Sequence, residues 1–178
     1  MTTQGRQDAL YEEAASAYAG ALERVARSYE ADSDKRRDLL QEIHLALWRS
    51  FAGFEGQCSL RTWIYRVAHN VAASHVIRHR RQRTPAFVTI EEAAEEILVL
   101  DVDHGAAIDR QRALDQLYTL IHRLEPIERH VILLYLEGFD GASIGEITGI
   151  SAGNAATRVH RIKKVLAARF SKGETDVR

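Results

Sequence analysis

Cysteine is nearly missing from this 178-residue chain: Cys58 stands alone, so no internal disulfide can form and no cysteine zinc cluster can assemble. Proline is almost as scarce, and Pro85 and Pro126 leave long stretches free to be helical. No apolar run approaches transmembrane length, and Met1 to Asp8 is polar with no signal-like stretch behind it, so a cytoplasmic protein is expected. Strand-like alternation is also rare. Spacing of three and four dominates, and 46% apolar residues give material for one medium core or two small ones, so an all-alpha protein is expected.

Features of catalysis are equally thin. There is no phosphate-binding glycine loop, and Ser151 reads as a helix cap rather than a nucleophile. His75 and His79 lie one helical turn apart but in basic surroundings and with no third ligand in the same helix. No catalytic residue, metal or cofactor is expected.

A net charge of -1 conceals strong segregation. Lys35 to Arg83 carries ten Arg or Lys against Asp38, Glu42 and Glu55, whereas Thr84 to Asp109 carries seven acids and no Arg or Lys. Ser151 to Lys172 is basic again, without an acid. Two basic blocks around an acidic connector suit two nucleic-acid-contacting modules.

The last block holds the clearest motif. Asp140 can cap a short helix with Ile144 and Ile147 inward; Gly149, Ile150 and Ser151 make a corner, and Ala152 begins a longer helix. That is a helix-turn-helix candidate. Ala155, Val159, Ile162, Leu166 and Phe170 form its apolar stripe, while Asn154, Thr157, Arg158, Arg161 and Lys164 point elsewhere. Arg suits guanine edges and Asn suits adenine edges, so the major groove is the natural partner. A solvated helix kept soluble by its cations is the other explanation. Upstream, a helix over Ala106 to Leu124 has Leu114, Leu117, Ile121 and Leu124 inward. Pro126 opens another through Leu136, whose Ile127, Val131, Leu134 and Tyr135 can meet the short helix, giving a four-helix unit.

The front of the chain reads as three helices. Ala9 to Tyr29 has a stripe of Leu10, Ala14, Ala17, Ala21 and Val25; Asp32 or Ser33 starts the next helix, with Leu39, Ile43, Leu47 and Phe51 inward. Beside that stripe lie Asp38, Gln41, Glu42, Leu45 and Trp48. An aromatic anchor among polar groups fits a partner-binding face, although Trp48 could equally complete the local core. A loop with Phe54, Glu55, Gly56 and Gln57 precedes a long helix capped by Ser59, reaching about Arg80, with Leu60, Ile64, Val67, Val71 and Ile77 inward. Its adjacent face offers Trp63, Arg66 and Asn70, and its end offers Arg78 and Arg81. Rings to stack bases and cations to hold a backbone suit melted nucleic acid, and the loop could trap an extruded base; Trp63 as ordinary core is the alternative. Phe87 to Gly105 reads as a loose linker, with room for a short helix between Glu91 and Leu100 and apolar residues that should touch something.

Together these segments resemble the extracytoplasmic-function (ECF) group of bacterial sigma factors, in the sigma-70 superfamily. The likeness rests on Asp38-Leu39-Leu40-Gln41-Glu42 with Trp48, the loop through Phe54 and Gly56, the run from Trp63 to Asn70, and the helix-turn-helix around Gly149-Ile150-Ser151, in family order. It implies two small helical domains joined by an acidic linker: residues 1–83 like region 2, 84–105 the linker, and 106–178 like region 4. Core RNA polymerase and promoter DNA would be the partners. By position Asp38, Gln41, Glu42, Leu45 and Trp48 match the polymerase-binding face. Phe54, Glu55, Gly56, Gln57, Trp63, Arg66, Asn70, Arg78 and Arg81 match the minus-ten contacts, and Ser151, Asn154, Thr157, Arg158, Arg161 and Lys164 the minus-thirty-five contacts. The linker resembles the segment threaded through polymerase channels. The resemblance also implies a chain that is monomeric when free or 1:1 with its partner, held at the membrane where an anti-sigma factor controls it. Ser74, Ala142 and Ser143 depart from residues the family often carries as acids. Gly145 stands in place of a frequent alanine and should loosen its helix.

Two other functions fit part of the chain. An autonomous helix-turn-helix regulator with a dimerising or sensing N-terminal domain explains the rear module but leaves Trp48, Trp63 and Asn70 without a task. A scaffold that imitates a sigma factor would bind polymerase and never open DNA.

Overall fold

The computed structural model describes residues 3–79, 87, 89 and 109–170, all-helical in two compact units, Met1–Thr84 and Pro85–Arg178. The expectations for Arg81, for the linker apart from Phe87 and Thr89, and for the side chains of Leu166 and Phe170 lie outside the described residues.

In the first unit α1 (Thr3–Ala17) and α2 (Ala19–Tyr29) replace the single helix expected over Ala9 to Tyr29. The chain bends at Tyr18, with φ -116° and ψ 13°, beside Gly20. The bend lets α1 pack on α3 (Ser33–Ser50) and the 3-10 turn Phe51–Gly53, while α2 packs on α3 and on α4 (Leu60–His79). It also leaves Ala17, expected inward, exposed. Asp32 caps α3 by accepting from the N–H groups of Asp34 and Lys35, and Ser59 Oγ accepts from Thr62 N at 3.0 Å. Leu39, Ile43, Leu47 and Phe51 fill the core as expected.

On α4 the buried stripe sits about one residue away from the expected one. Ile64, Tyr65, Ala68, His69, Ala72 and His75 face inward; Leu60, Val67 and Val71 are half-buried, and Ile77 is 61% exposed. The cause is polar. Tyr29 Oη pairs with His69 Nδ1 at 3.3 Å and Glu30 with His75 Nε2 at 3.5 Å, so one ring nitrogen of each histidine finds a partner inside. Burial pushes the His75 imidazole below its ordinary value, helped by His79 and opposed by Glu30 and Glu42.

The second unit holds α5 (Asp109–Arg123), α6 (Pro126–Leu136), α7 (Gly141–Thr148) and α8 (Ala152–Phe170). Pro126 occupies the first turn of α6, where its missing N–H costs nothing. From Glu128 to Leu134 every residue of α6 is buried. Its Arg129 turns back on α5: Nε donates to Leu124 O at 2.8 Å and Nη2 to His122 O, satisfying carbonyls at the helix end. Among the described side chains of α5, Leu120 and Ile121 at that end are buried, as is Leu124 just beyond it. Leu114, expected inward, is exposed, and Leu117 is half-buried. The Arg129 guanidinium also lies 5.3 Å from the Phe87 ring centroid, a contact for one apolar residue of the expected linker.

Asp140 caps α7 by accepting from Ser143 N at 2.8 Å, and that bond holds its carboxyl below the usual range. Gly149 closes the helix at φ 77°, its N–H donated to Gly145 O at 2.9 Å. Gly145 proves to be a point of close approach: a Cβ there would stand 3.0 Å from Ile150 O and 3.4 Å from the Ala152 backbone. Whatever helix propensity it forfeits, it lets the corner fold tightly onto α7.

Candidate nucleic-acid interface

The start of α8 is built by local chemistry. Ser151 Oγ accepts from Asn154 N at 3.2 Å, an N-cap that leaves the positive end of the helix dipole facing out. Ala155 and Ile162 are buried against the unit, whereas Asn154, Thr157, Arg161 and Lys164 are exposed. Thr157 Oγ1 is bonded back to Gly153 O at 2.9 Å, and Lys163 Nζ folds over the Tyr135 ring at 5.4 Å. No acid interrupts the exposed side, so it carries a positive field suited to phosphate.

Arg158 departs from expectation. It is turned sideways, its Nη1 paired with Glu128 Oε1 on α6 and its Nε donated to Asn154 Oδ1 at 2.8 Å. The side chain is 23% exposed and that of Glu128 is 5% exposed. Tertiary pairing overrides helical spacing here, because a carboxylate cannot be buried without a cation or donor beside it.

In the first unit Asp38, Gln41, Glu42 and Leu45 lie exposed along α3. Trp48 is half-buried: its Nε1 donates to Asp8 Oδ1 at 2.8 Å, and Gln7 Nε2 donates to its carbonyl at 2.7 Å. The loop before α4 is a small aromatic cluster, Phe54 lying edge-on to Phe51 at 6.3 Å and tilted against Trp63 at 5.2 Å by ring centroids. Trp63 Nε1 donates to Ser50 Oγ at 2.9 Å. Gln57 braces the loop, accepting from Glu55 N and donating to Gly53 O, both at 3.1 Å, around Gly56 at φ 81°. Glu55, Gly56 and Gln57 are exposed, Arg66 is half-buried and Asn70 is exposed. Across a groove of about 680 Å³ between α3 and α4, floored by Leu45, Ala46 and Val71, Arg78 reaches Glu42 at 2.6 Å.

Asp8, Ser50 and Glu128 complete these arrangements and were not foreseen. Asp8 fell just before the expected helix start. For Glu128 a signal existed: Ile127 and the run Val131 to Leu134 make α6 apolar all round, so any charge within it must be buried and partnered. Among the described residues no cluster of three His, Cys, Asp or Glu side chains forms, and no helix is long and apolar enough to cross a membrane.

A helical unit with an exposed mixed face and an aromatic loop, and another with a basic helix-turn-helix, define a bipartite DNA-binding protein of transcription. Residues 14–82 match the Sigma-70 region 2 family and residues 114–166 match Sigma-70, region 4. The chain is 32% identical over 161 residues to the RNA polymerase sigma factor CarQ of Myxococcus xanthus, covering 88% of this chain and 86% of that one. It is 30% identical over 142 residues to the ECF RNA polymerase sigma factor SigC of Mycobacterium tuberculosis, covering 79% and 73%. With the ECF RNA polymerase sigma-E factor of Haemophilus influenzae the identity is 29% over 135 residues, covering 72% and 71%. The chain belongs to the ECF sigma factors of the sigma-70 family. It directs RNA polymerase to promoters through its region 2 and region 4 domains and is not itself an enzyme.

Proposed function

We infer that residues 1–83 bind core polymerase and open the minus-ten element, that residues 106–178 read the minus-thirty-five duplex, and that 84–105 connect them. The observation that carries this division is the two-faced build of α3 and α8. Each buries one stripe, Leu39, Ile43 and Leu47 or Ala155 and Ile162, and exposes chemically distinct residues on the other. On α3 the exposed set is Asp38, Gln41, Glu42 and Leu45, a mixed face for a protein partner. On α8 it is Ser151, Asn154, Thr157, Arg161 and Lys164, donors for phosphates and base edges.

Trp48 supports the polymerase face from beneath, through its bond to Asp8. Phe54, Glu55, Gly56 and Gln57 form the loop that receives an extruded base, with Trp63 as its aromatic wall. Arg66, Asn70, Arg78 and Arg81 hold the adjoining strand. The factor works in the cytoplasm as a monomer joined 1:1 to core enzyme, and an anti-sigma factor that clamps or separates the modules is its natural control.

Purified core polymerase with and without the chain, on a genomic promoter library, tests this. Specific initiation should appear only with the chain. Arg161→Ala with Lys164→Ala should weaken upstream-element binding and spare core binding, while Leu45→Asp should do the reverse. DNA binding with no change in core specificity would make the protein an autonomous regulator instead.

A further inference from the structure

Three consecutive side chains near the start of α1 hold the end of α3 and the loop that follows it. Arg6 Nη2 donates to the carbonyl of Phe54 at 3.3 Å, Gln7 Nε2 donates to the carbonyl of Trp48 at 2.7 Å, and Asp8 Oδ1 accepts from Trp48 Nε1 at 2.8 Å. Trp48 stands in the last turn of α3, where carbonyls lack a partner within the helix, so Gln7, itself buried, supplies the donor. Phe54 is thus fixed twice: its backbone by Arg6, and its ring against Trp63, whose indole is held by Ser50. All three side chains lie ahead of residues 14–82, the stretch that matches region 2.

We propose that Arg6, Gln7 and Asp8 are positioning residues for base capture: Arg6 holds the base-receiving loop at Phe54 while Gln7 and Asp8 anchor the same turn of α1 to Trp48. The loop needs such a brace. Its exposed stretch, Glu55 to Gln57, turns at Gly56 with φ 81° and belongs to no helix. The bonds from Gln57 to Glu55 N and Gly53 O set its shape from within, but they do not set where it stands relative to Trp63 and α3. A loop that orders only as the base arrives loses binding free energy to that ordering, and one held beforehand does not. The Arg6 bond is to a main-chain oxygen, so it governs the placement of the loop and leaves the reading of the base to the loop's own side chains. Through Trp48 the same turn reaches beneath the polymerase face, and the loop is set in register with it.

The proposal rests on the reading of this loop as a base receiver, and the experiment separates the two. Holoenzyme made from the full chain and core polymerase is bound to a template already unpaired at the minus-ten element, so strand opening does not enter. Each unpaired position in turn is replaced by an abasic site. The wild type should lose on the order of ten-fold in affinity at one position. Arg6→Ala and Asp8→Ala should each shrink that ratio by about three-fold, weakening binding to the intact template and leaving the abasic template almost unchanged. Arg6→Lys keeps a donor for the Phe54 carbonyl and Asp8→Asn an acceptor for the Trp48 indole, so both should restore most of the ratio. An unchanged ratio in the alanine variants, an equal loss on intact and abasic templates, or conservative variants no better than alanine would overturn the positioning role while leaving base capture in place. A wild type indifferent to an abasic site at every position would bring down base capture and the proposal together.

Discussion

Arg78 and Arg158 each pair with a carboxylate on another helix, and their surroundings differ. Arg78 reaches from α4 to Glu42 on α3 with both side chains largely in water, 58% and 44% exposed. Arg158 reaches from α8 to Glu128 on α6 with the carboxylate almost wholly enclosed. Exposed pairs contribute little, about 0–1 kcal/mol, because water screens them and two long side chains must be ordered. A partly enclosed pair is costly to break, since one charge is left without compensation. The first unit thus keeps its contacts exchangeable across an open groove. The second commits a cation of α8 to the fold, while Arg161 and Lys164 on the same helix stay exposed.

The sharpest way to break that contrast is Arg158→Ala, which should destabilise the second unit by roughly 3–5 kcal/mol. Trp48 and Trp63 both lie in the first unit, so tryptophan fluorescence follows it alone, while circular dichroism follows both. Urea unfolding should show an early circular-dichroism transition with the fluorescence transition unmoved. Coincident transitions at the wild-type midpoint would place Arg158 in solvent.

Acid should weaken both units, through His44 and His75 in the first and most through His130 in the second. Burial pushes His130 down from 6.5 to about 3. Between those values the unfolded chain takes up a proton that the folded one refuses, so the stabilisation is complete above pH 6.5 and is lost as pH falls. At pH 4.5 this amounts to about 3 kcal/mol from the second unit. Amide exchange of α6 at pH 7 and pH 4.5 measures it, and a His130→Leu chain should show a flatter dependence.

Ser59→Ala removes the cap of α4 and should cost the first unit about 1 kcal/mol, read by the fluorescence transition. Smallest of all, Arg78→Ala should shift that transition by less than about 1 kcal/mol. A loss comparable to that of Arg158→Ala would erase the distinction between the two bridges.

Much of this was legible in the sequence wherever a local rule applied. The caps at Asp32, Ser59, Asp140 and Ser151, the start of α6 at Pro126 and the corner at Gly149 each follow from one residue and its near neighbours. The bend at Tyr18 was not, because hydrophobic spacing runs smoothly from Ala9 to Tyr29 and the break serves packing on two different partners. The inner face of α4 was misplaced because His69 and His75 are polar, and only tertiary partners make them interior residues. Arg158 shows the same limit at the candidate site: spacing assigns a face, but a carboxylate thirty residues earlier decides where the guanidinium goes. Gly145 looked like a weakness of α7 until the approach of Ile150 O was visible.

The division of labour between the units is tested most directly by permanganate reactivity of promoter thymines in reconstituted holoenzyme, on an intact template and on one already unpaired at the minus-ten element. Arg161→Ala with Lys164→Ala should lose reactivity on a promoter that depends on its upstream element and keep initiation on the unpaired template. If the same double variant fails equally on both templates, the rear unit does more than read duplex, and the proposed separation of roles is wrong.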